Sequence, residues 1–210
     1  MPNSSAFMKN YKKFLFLLLF LGVCFTLFYF SQEQEKKQSK TLKIEALNLP
    51  PLEVGDLIFR RGDSLESLII SQISNHHYTH LGLIISTDPI IIIHATTDDN
   101  INRQNQVILS PLNEFISHAN SLAIKRFLLT KAQKEAIVLA AKSQLGREFI
   151  LSNESNAFYC TTFIESLLTP HITLRFNYKE VNLPPLSGKY LFPKEFFNAP
   201  QTTLIYEKRI

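Results

Sequence analysis

Residues 14–30, FLFLLLFLGVCFTLFYF, carry neither a charge nor a proline, and this run constrains the chain more than any other segment. A helix apolar on every side has to be buried all round or sit in lipid. Seventeen such residues lie at the lower end of what spans a bilayer and are long for the core of a signal peptide. Lys9, Lys12 and Lys13 precede the run and the polar stretch SQEQEKKQSK follows it, which favours an N-in, C-out orientation. Cys24 is a poor lipoprotein cysteine, because valine precedes it and the apolar run continues to Phe30. An uncleaved signal anchor is therefore preferred to a cleaved signal peptide, and both to a lipoprotein. The expected layout is a basic cytoplasmic tail over 1–13, a transmembrane anchor over 14–30, a solvated linker over 31–50 and one domain over 51–210.

The net charge of +4 belongs to the first of these parts. Residues 1–40 hold six lysines and two glutamates, which leaves the rest with sixteen basic and sixteen acidic residues. A neutral domain without a basic stripe is a poor partner for nucleic acid. Only two cysteines occur, Cys24 in the apolar run and Cys160. In an exported domain Cys160 then has no disulfide partner within the chain and is either a core thiol or a reactive one.

Along the domain, Pro50-Pro51 punctuates an extended lead-in and Gly55–Arg60 alternates like a strand entering from a turn. Residues 64–75 read as a helix capped by Ser64, with Leu65, Leu68, Ile69, Gln72 and Ile73 on one face. Three strands follow, His80–Ser86, Ile90–His94 and Gln106–Leu109, the first two joined across Asp88-Pro89. A short helix over 111–118 and a strand over 122–127 come next, then a helix over 130–145 between a Thr130 cap and a Gly146 stop. Residues 158–168 form a last helix whose buried stripe is Phe163, Ile164, Leu167 and Leu168, and the proline- and aromatic-rich tail after Pro170 is expected to wrap the outside. The pattern predicts one α+β domain, a mostly antiparallel sheet with helices packed on it.

A thiol nucleophile needs a base, a group that orients the base, and donors for the oxyanion. Cys160 heads a helix, where the dipole favours a thiolate and the backbone N–H is an oxyanion donor. His80 begins one strand and His94 ends the next, so a hairpin brings both to one end of the sheet. His80 is the candidate base and His94 the candidate orienter. Tyr78 and Tyr159 neighbour these residues and are further candidates for the oxyanion site, with packing as the default, while Asp56 fixes a turn or contributes to the site. Taken singly, a lone cysteine or a strand-end histidine is more often structural. A zinc site built from His76, His77 and His80 with His94 and Cys160 is a minority alternative, because the spacing fits no standard zinc motif.

In order, Gly55-Asp56-Leu57-Ile58-Phe59, Thr79-His80-Leu81-Gly82-Leu83-Ile84, Ile92-Ile93-His94-Ala95 and Tyr159-Cys160-Thr161 resemble the circularly permuted papain-like hydrolases of the YiiX/YebB-like group, within the NlpC superfamily of cell-wall and lipid-acting cysteine enzymes. The resemblance spans about residues 51–200, including Leu191-Phe192-Pro193. It implies a papain-like fold with the histidine strand before the cysteine helix. It also implies Cys160 as nucleophile, His80 as base and His94 in a third position that is commonly acidic in the group. Two features depart from the group: Thr161-Thr162 follow the cysteine in place of Ser-Glu, and Arg147-Glu148 follow Gly146 in place of Tyr-Asp. The expected protein is a cysteine hydrolase without a cofactor, anchored in a bacterial inner membrane and facing the periplasm. Its substrates would be amide or ester bonds of cell-wall peptides, or of lipids and acyl amines. A catalytically silent ligand-binding domain of the same fold is the alternative.

Overall fold

The computed structural model describes residues 19–26, 29, 42–97, 105–152, 154, 156–184 and 186–210. The chain divides into two compact units, residues 1–40 and 41–210. In the first unit, residues 19–26 are helical, and most of the remaining anchor expected over 14–30 lies outside the described residues. No helix among the described residues is long and apolar enough to cross a membrane.

The second unit is built on one six-stranded sheet. Its strands are β1 (Leu57–Gly62), β2 (His80–Thr87), β3 (Ile90–Thr96), β4 (Gln106–Pro111), β5 (Ala119–Phe127) and β8 (Thr202–Arg209), in the order β4-β3-β2-β1-β5-β8. Every pairing within it is antiparallel. A small hairpin of β6 (Lys179–Val181) and β7 (Gly188–Tyr190) stands apart from it. Among the described residues five α-helices complete the unit, besides a 3-10 turn at Ile44–Ala46: α1 (Leu65–Ser74), α2 (Leu112–Ile116), α3 (Lys131–Lys142), α4 (Cys160–Leu168) and α5 (Pro193–Phe197).

Period-two alternation sorts the strand residues onto two faces. Leu57, Phe59, Leu81, Leu83 and Ile93 point to one side, where they meet Ile137 of α3, Phe163, Ile164 and Leu168 of α4, and Phe196 of α5. Ile58, Ile84, Ile92 and Ile124 point to the other, against Leu112, Phe115 and Ile116 of α2. Leu42 joins this second core, and its N–H donates to the Ala119 carbonyl at 2.7 Å. Residues 42–50, expected in the linker, thus belong in part to the domain.

Local signals account for most of the boundaries. The Ser64 hydroxyl accepts the Ser67 N–H at the start of α1, and Thr130 closes a capping box with Gln133 at the start of α3. Past α3 the chain turns at Gly146 with φ of +78°, a conformation that suits glycine.

One helix packs loosely on the sheet, and one expectation needs correction. The apolar face of α1 is covered only in part: Leu65 and Leu68 are 67% and 47% exposed, while Ile69 and Ile73 border a pocket. Polar contacts hold this helix in its place. Ser67 Oγ meets Thr79 Oγ1 at 3.0 Å, and Ser71 accepts from Arg61 at 2.9 Å. The tail does not merely wrap the outside. Residues Thr202–Arg209 form β8, which pairs with β5 in the register Ile124↔Tyr206 and becomes an edge of the sheet.

Candidate active site

Register decides where the two histidines meet. Leu83 pairs with Ile93 and Ile84 with Ile92, which sets Gly82 opposite His94 and His80 diagonally across from it on the same face. A side chain at position 82 would collide: a Cβ there would lie 2.5 Å from Ile92 Cγ2 and 3.1 Å from His94 Cβ. Glycine at this position lets the two strands approach and leaves room for the rings.

His80 Nε2 then lies 2.9 Å from His94 Nδ1, with the rings edge-to-face at 77°. The other nitrogen of His94, Nε2, lies 3.2 Å from Ser110 Oγ on β4, and Ser110 Oγ donates to Glu114 Oε1 on α2 at 3.3 Å. Phe115 walls in both imidazoles, with ring centroids 5.8 Å from His80 and 5.1 Å from His94. Arg60, cross-strand partner of His80, stacks its guanidinium over the same Phe115 ring at 4.9 Å and donates to the Phe115 carbonyl at 2.6 Å.

Both histidines are held well below the usual imidazole range. Burial is the main cause, and the Arg60 cation adds to it. They are therefore neutral near pH 7, the state a general base requires. Because His94 engages Nε2 of His80, Nδ1 is the ring nitrogen of His80 left for another partner.

Cys160 is the first residue of α4, which packs on β2 and β3. The turn into the helix is tightly fixed. The Tyr159 N–H donates to Thr162 Oγ1 at 2.9 Å, Thr161 Oγ1 donates to the Leu191 carbonyl at 2.9 Å, and the Leu191 N–H donates to the Tyr159 hydroxyl at 2.9 Å. Thr161 and Thr162, which depart from the group's usual residues, are thus the side chains that cap the helix and tie it to the 191 loop. The half-buried sulfur is approached by the backbone N–H of Leu81, next to His80, and by that of Thr161.

The helix start was expected to favour a thiolate, and these donors act in the same direction. Burial outweighs them and pushes the Cys160 thiol up to about 11. The resting site therefore pairs a protonated thiol with neutral imidazoles. No hydrogen bond joins Cys160 to His80 among the described residues.

His80 opens onto a groove of about 500 Å³ lined by polar groups, among them Arg60, Ser67, Thr79 and Thr96. An apolar pocket of about 80 Å³ adjoins it, bordered by Ile69, Ile73, Tyr159, Tyr190 and Leu191. Ile70, Thr79 and Leu151 line both spaces.

Three residues named from the sequence have other duties. Tyr78 is fully buried and its hydroxyl donates to Glu207 Oε1 at 2.6 Å. Tyr159 shapes the turn before Cys160 and borders the apolar pocket, while burial raises its phenol to about 12. Asp56, fully buried, accepts a fork from Arg126 at 2.6 and 2.8 Å and the Glu53 N–H at 2.8 Å, so it anchors the turn into β1. His76 and His77 do not join His80. His76 Nδ1 accepts the Tyr78 N–H, and the His77 ring packs edge-on against Tyr78. No group of three or more His, Cys, Asp or Glu residues among those described is arranged to hold a metal ion. Arg60, Ser110, Glu114 and Phe115 went unnoticed in the sequence, since only the strand register and α2 bring them to the histidines.

An antiparallel sheet whose strand histidine precedes, in the chain, a helix headed by cysteine defines the permuted papain-like class. Residues 51–206 match the permuted papain-like amidase family YaeF/YiiX, C92, and the chain belongs to that family. The crystal structure of the metalloprotein YiiX from Escherichia coli O157:H7 shares the fold. Its TM-score is 0.62, covering 75% of this chain and 98% of that one at 19% identity. No curated protein matches the sequence.

Proposed function

We propose that this member of a hydrolase family is a membrane-anchored cysteine hydrolase that works through an acyl-enzyme on Cys160. The contact between His80 and His94, formed beside the backbone amide that reaches the Cys160 sulfur, carries the reading. His80 Nδ1 takes the thiol proton as sulfur attacks the carbonyl carbon, and the carbonyl electron pair moves to oxygen. Collapse of the tetrahedral adduct expels the amine or alcohol, which leaves with the proton from His80. Water then attacks the thioester while His80 accepts its proton, and the acid departs with regeneration of the thiol. Because the resting thiol is protonated, proton transfer accompanies attack rather than preceding it. His94 holds the imidazole of His80 in place.

Among amide and ester substrates, the apolar pocket bordered by Tyr159 favours one with an apolar acyl group, such as a lipid or acyl amine, over a purely polar cell-wall peptide. The uncharged run Phe14–Phe30, with its preceding lysines, supports a single-pass inner-membrane anchor with the domain in the periplasm.

The test is acylation of the full-length chain in detergent by long-chain acyl esters and amides, followed by intact mass. The expected result is a covalent acyl adduct on wild type and none on Cys160→Ala, with turnover falling at least about a thousandfold in the variant. Absence of both adduct and turnover would overturn the reading. The high thiol pKa gives the silent binding domain some footing. That reading predicts saturable binding of the same ligands, equal in wild type and Cys160→Ala, without any adduct.

A further inference from the structure

We infer that Ser110 and Glu114 are positioning residues that set the direction of hydrogen bonding through both histidines, so that the lone pair of His80 faces away from His94. This rests on the catalytic reading above for its purpose, but not for its geometry.

The inference follows from donor counting. A carboxylate accepts and does not donate, so the single proton of Ser110 Oγ goes to Glu114 Oε1 at 3.3 Å. Ser110 Oγ can then only accept at its contact with His94 Nε2, 3.2 Å away. His94 therefore carries its proton on Nε2, and its Nδ1 is a bare acceptor. The contact of 2.9 Å between His94 Nδ1 and His80 Nε2 in turn needs a proton on His80 Nε2. A neutral His80 with that proton has its lone pair on Nδ1, the state required to accept a proton from a thiol. Reversal of either the His94–Ser110 or the His80–His94 bond would leave His80 Nδ1 protonated and useless as a base.

The arrangement also answers a charge problem. A histidine in third position brings no negative charge to an imidazolium forming on His80, and Arg60 opposes one. Glu114 supplies the opposite sign at the outer end of the chain. Ser110, only 2% exposed, shields the inner link from water.

The measurement is the tautomer of each ring in the full-length chain in detergent, read from imidazole 15N chemical shifts. Resonances are assigned with His80→Gln and His94→Gln. Wild type is expected to show protonated Nε2 and bare Nδ1 on both His80 and His94. Ser110→Ala should shift His94, and with it His80, toward the opposite tautomer. Ser110→Thr should restore the wild-type pattern, and Glu114→Gln should give a mixture. Where turnover is measurable, Ser110→Ala should lower kcat about tenfold with little change in KM, the size expected for one charge-assisted bond. A wild-type His94 protonated on Nδ1 would overturn the inference, and so would tautomers indifferent to Ser110→Ala. The wild-type spectrum decides even if the variants fail to fold. Because it needs no turnover, it separates failure of this chain of bonds from failure of the hydrolase reading.

Discussion

Four neutral histidines make the protein sensitive to acid. Burial lowers the pKa of His76, His77, His80 and His94 below the ordinary value of 6.5. Above that value neither folded nor unfolded chain is protonated at these rings, so their contribution does not vary. As pH falls through 6.5 the unfolded chain binds protons that the folded one refuses, and stability drops. Thermal unfolding is expected to show a melting temperature lower at pH 5.5 than at pH 7.5. His94→Gln, which removes one of the most buried rings, should flatten that slope. Cys160 works in the opposite direction. Its raised pKa destabilises the fold only as pH climbs above the ordinary thiol value, where the unfolded chain ionises first.

The hairpin of β2 and β3 is the element on which the site depends, and Gly82 is its narrowest point. An added methyl would meet Ile92 Cγ2 at 2.5 Å, and relief requires the strands to part or Ile92 to turn. Gly82→Ala is expected to cost about 1–3 kcal/mol in urea unfolding, the range for overpacking a tight core. It should also displace His94, seen as a change in its 15N shifts. An unchanged midpoint and spectrum would show that the strand gap is not needed. The cysteine helix, by contrast, was readable from its pattern. Phe163, Ile164, Leu167 and Leu168 recur at helical spacing and are all buried. The apolar face of α1 is only partly covered, and Ser67 and Ser71 add hydrogen bonds to that helix that periodicity does not register.

Closure of the whole domain depends on its last strand. β8 covers β5, which without it would present an open edge of hydrogen-bonding groups. Glu207, on that strand, also receives the buried Tyr78 hydroxyl. Truncation before Thr202 is expected to give a chain that aggregates, measured by light scattering at micromolar concentration, even though no residue of the histidine and cysteine group is removed. A soluble, cooperatively folded truncation would show that β8 is dispensable.

The sequence by itself determined the order of elements from β1 to α4, the caps Ser64 and Thr130, and the presence of His80 at a strand start, His94 near the end of the next strand and Cys160 at a helix start. These follow from local periodicity and from the short-range geometry of a hairpin. Tertiary structure decided the rest. It took Asp56 and Tyr78 out of the site by giving them Arg126 and Glu207 as partners, residues 70 and 129 positions away. It recruited Arg60, Ser110 and Phe115 through strand pairing and the seat of α2. It also reversed the expected charge state of the thiol, since burial depends on everything packed around a group, whereas a helix start is visible from its neighbours alone.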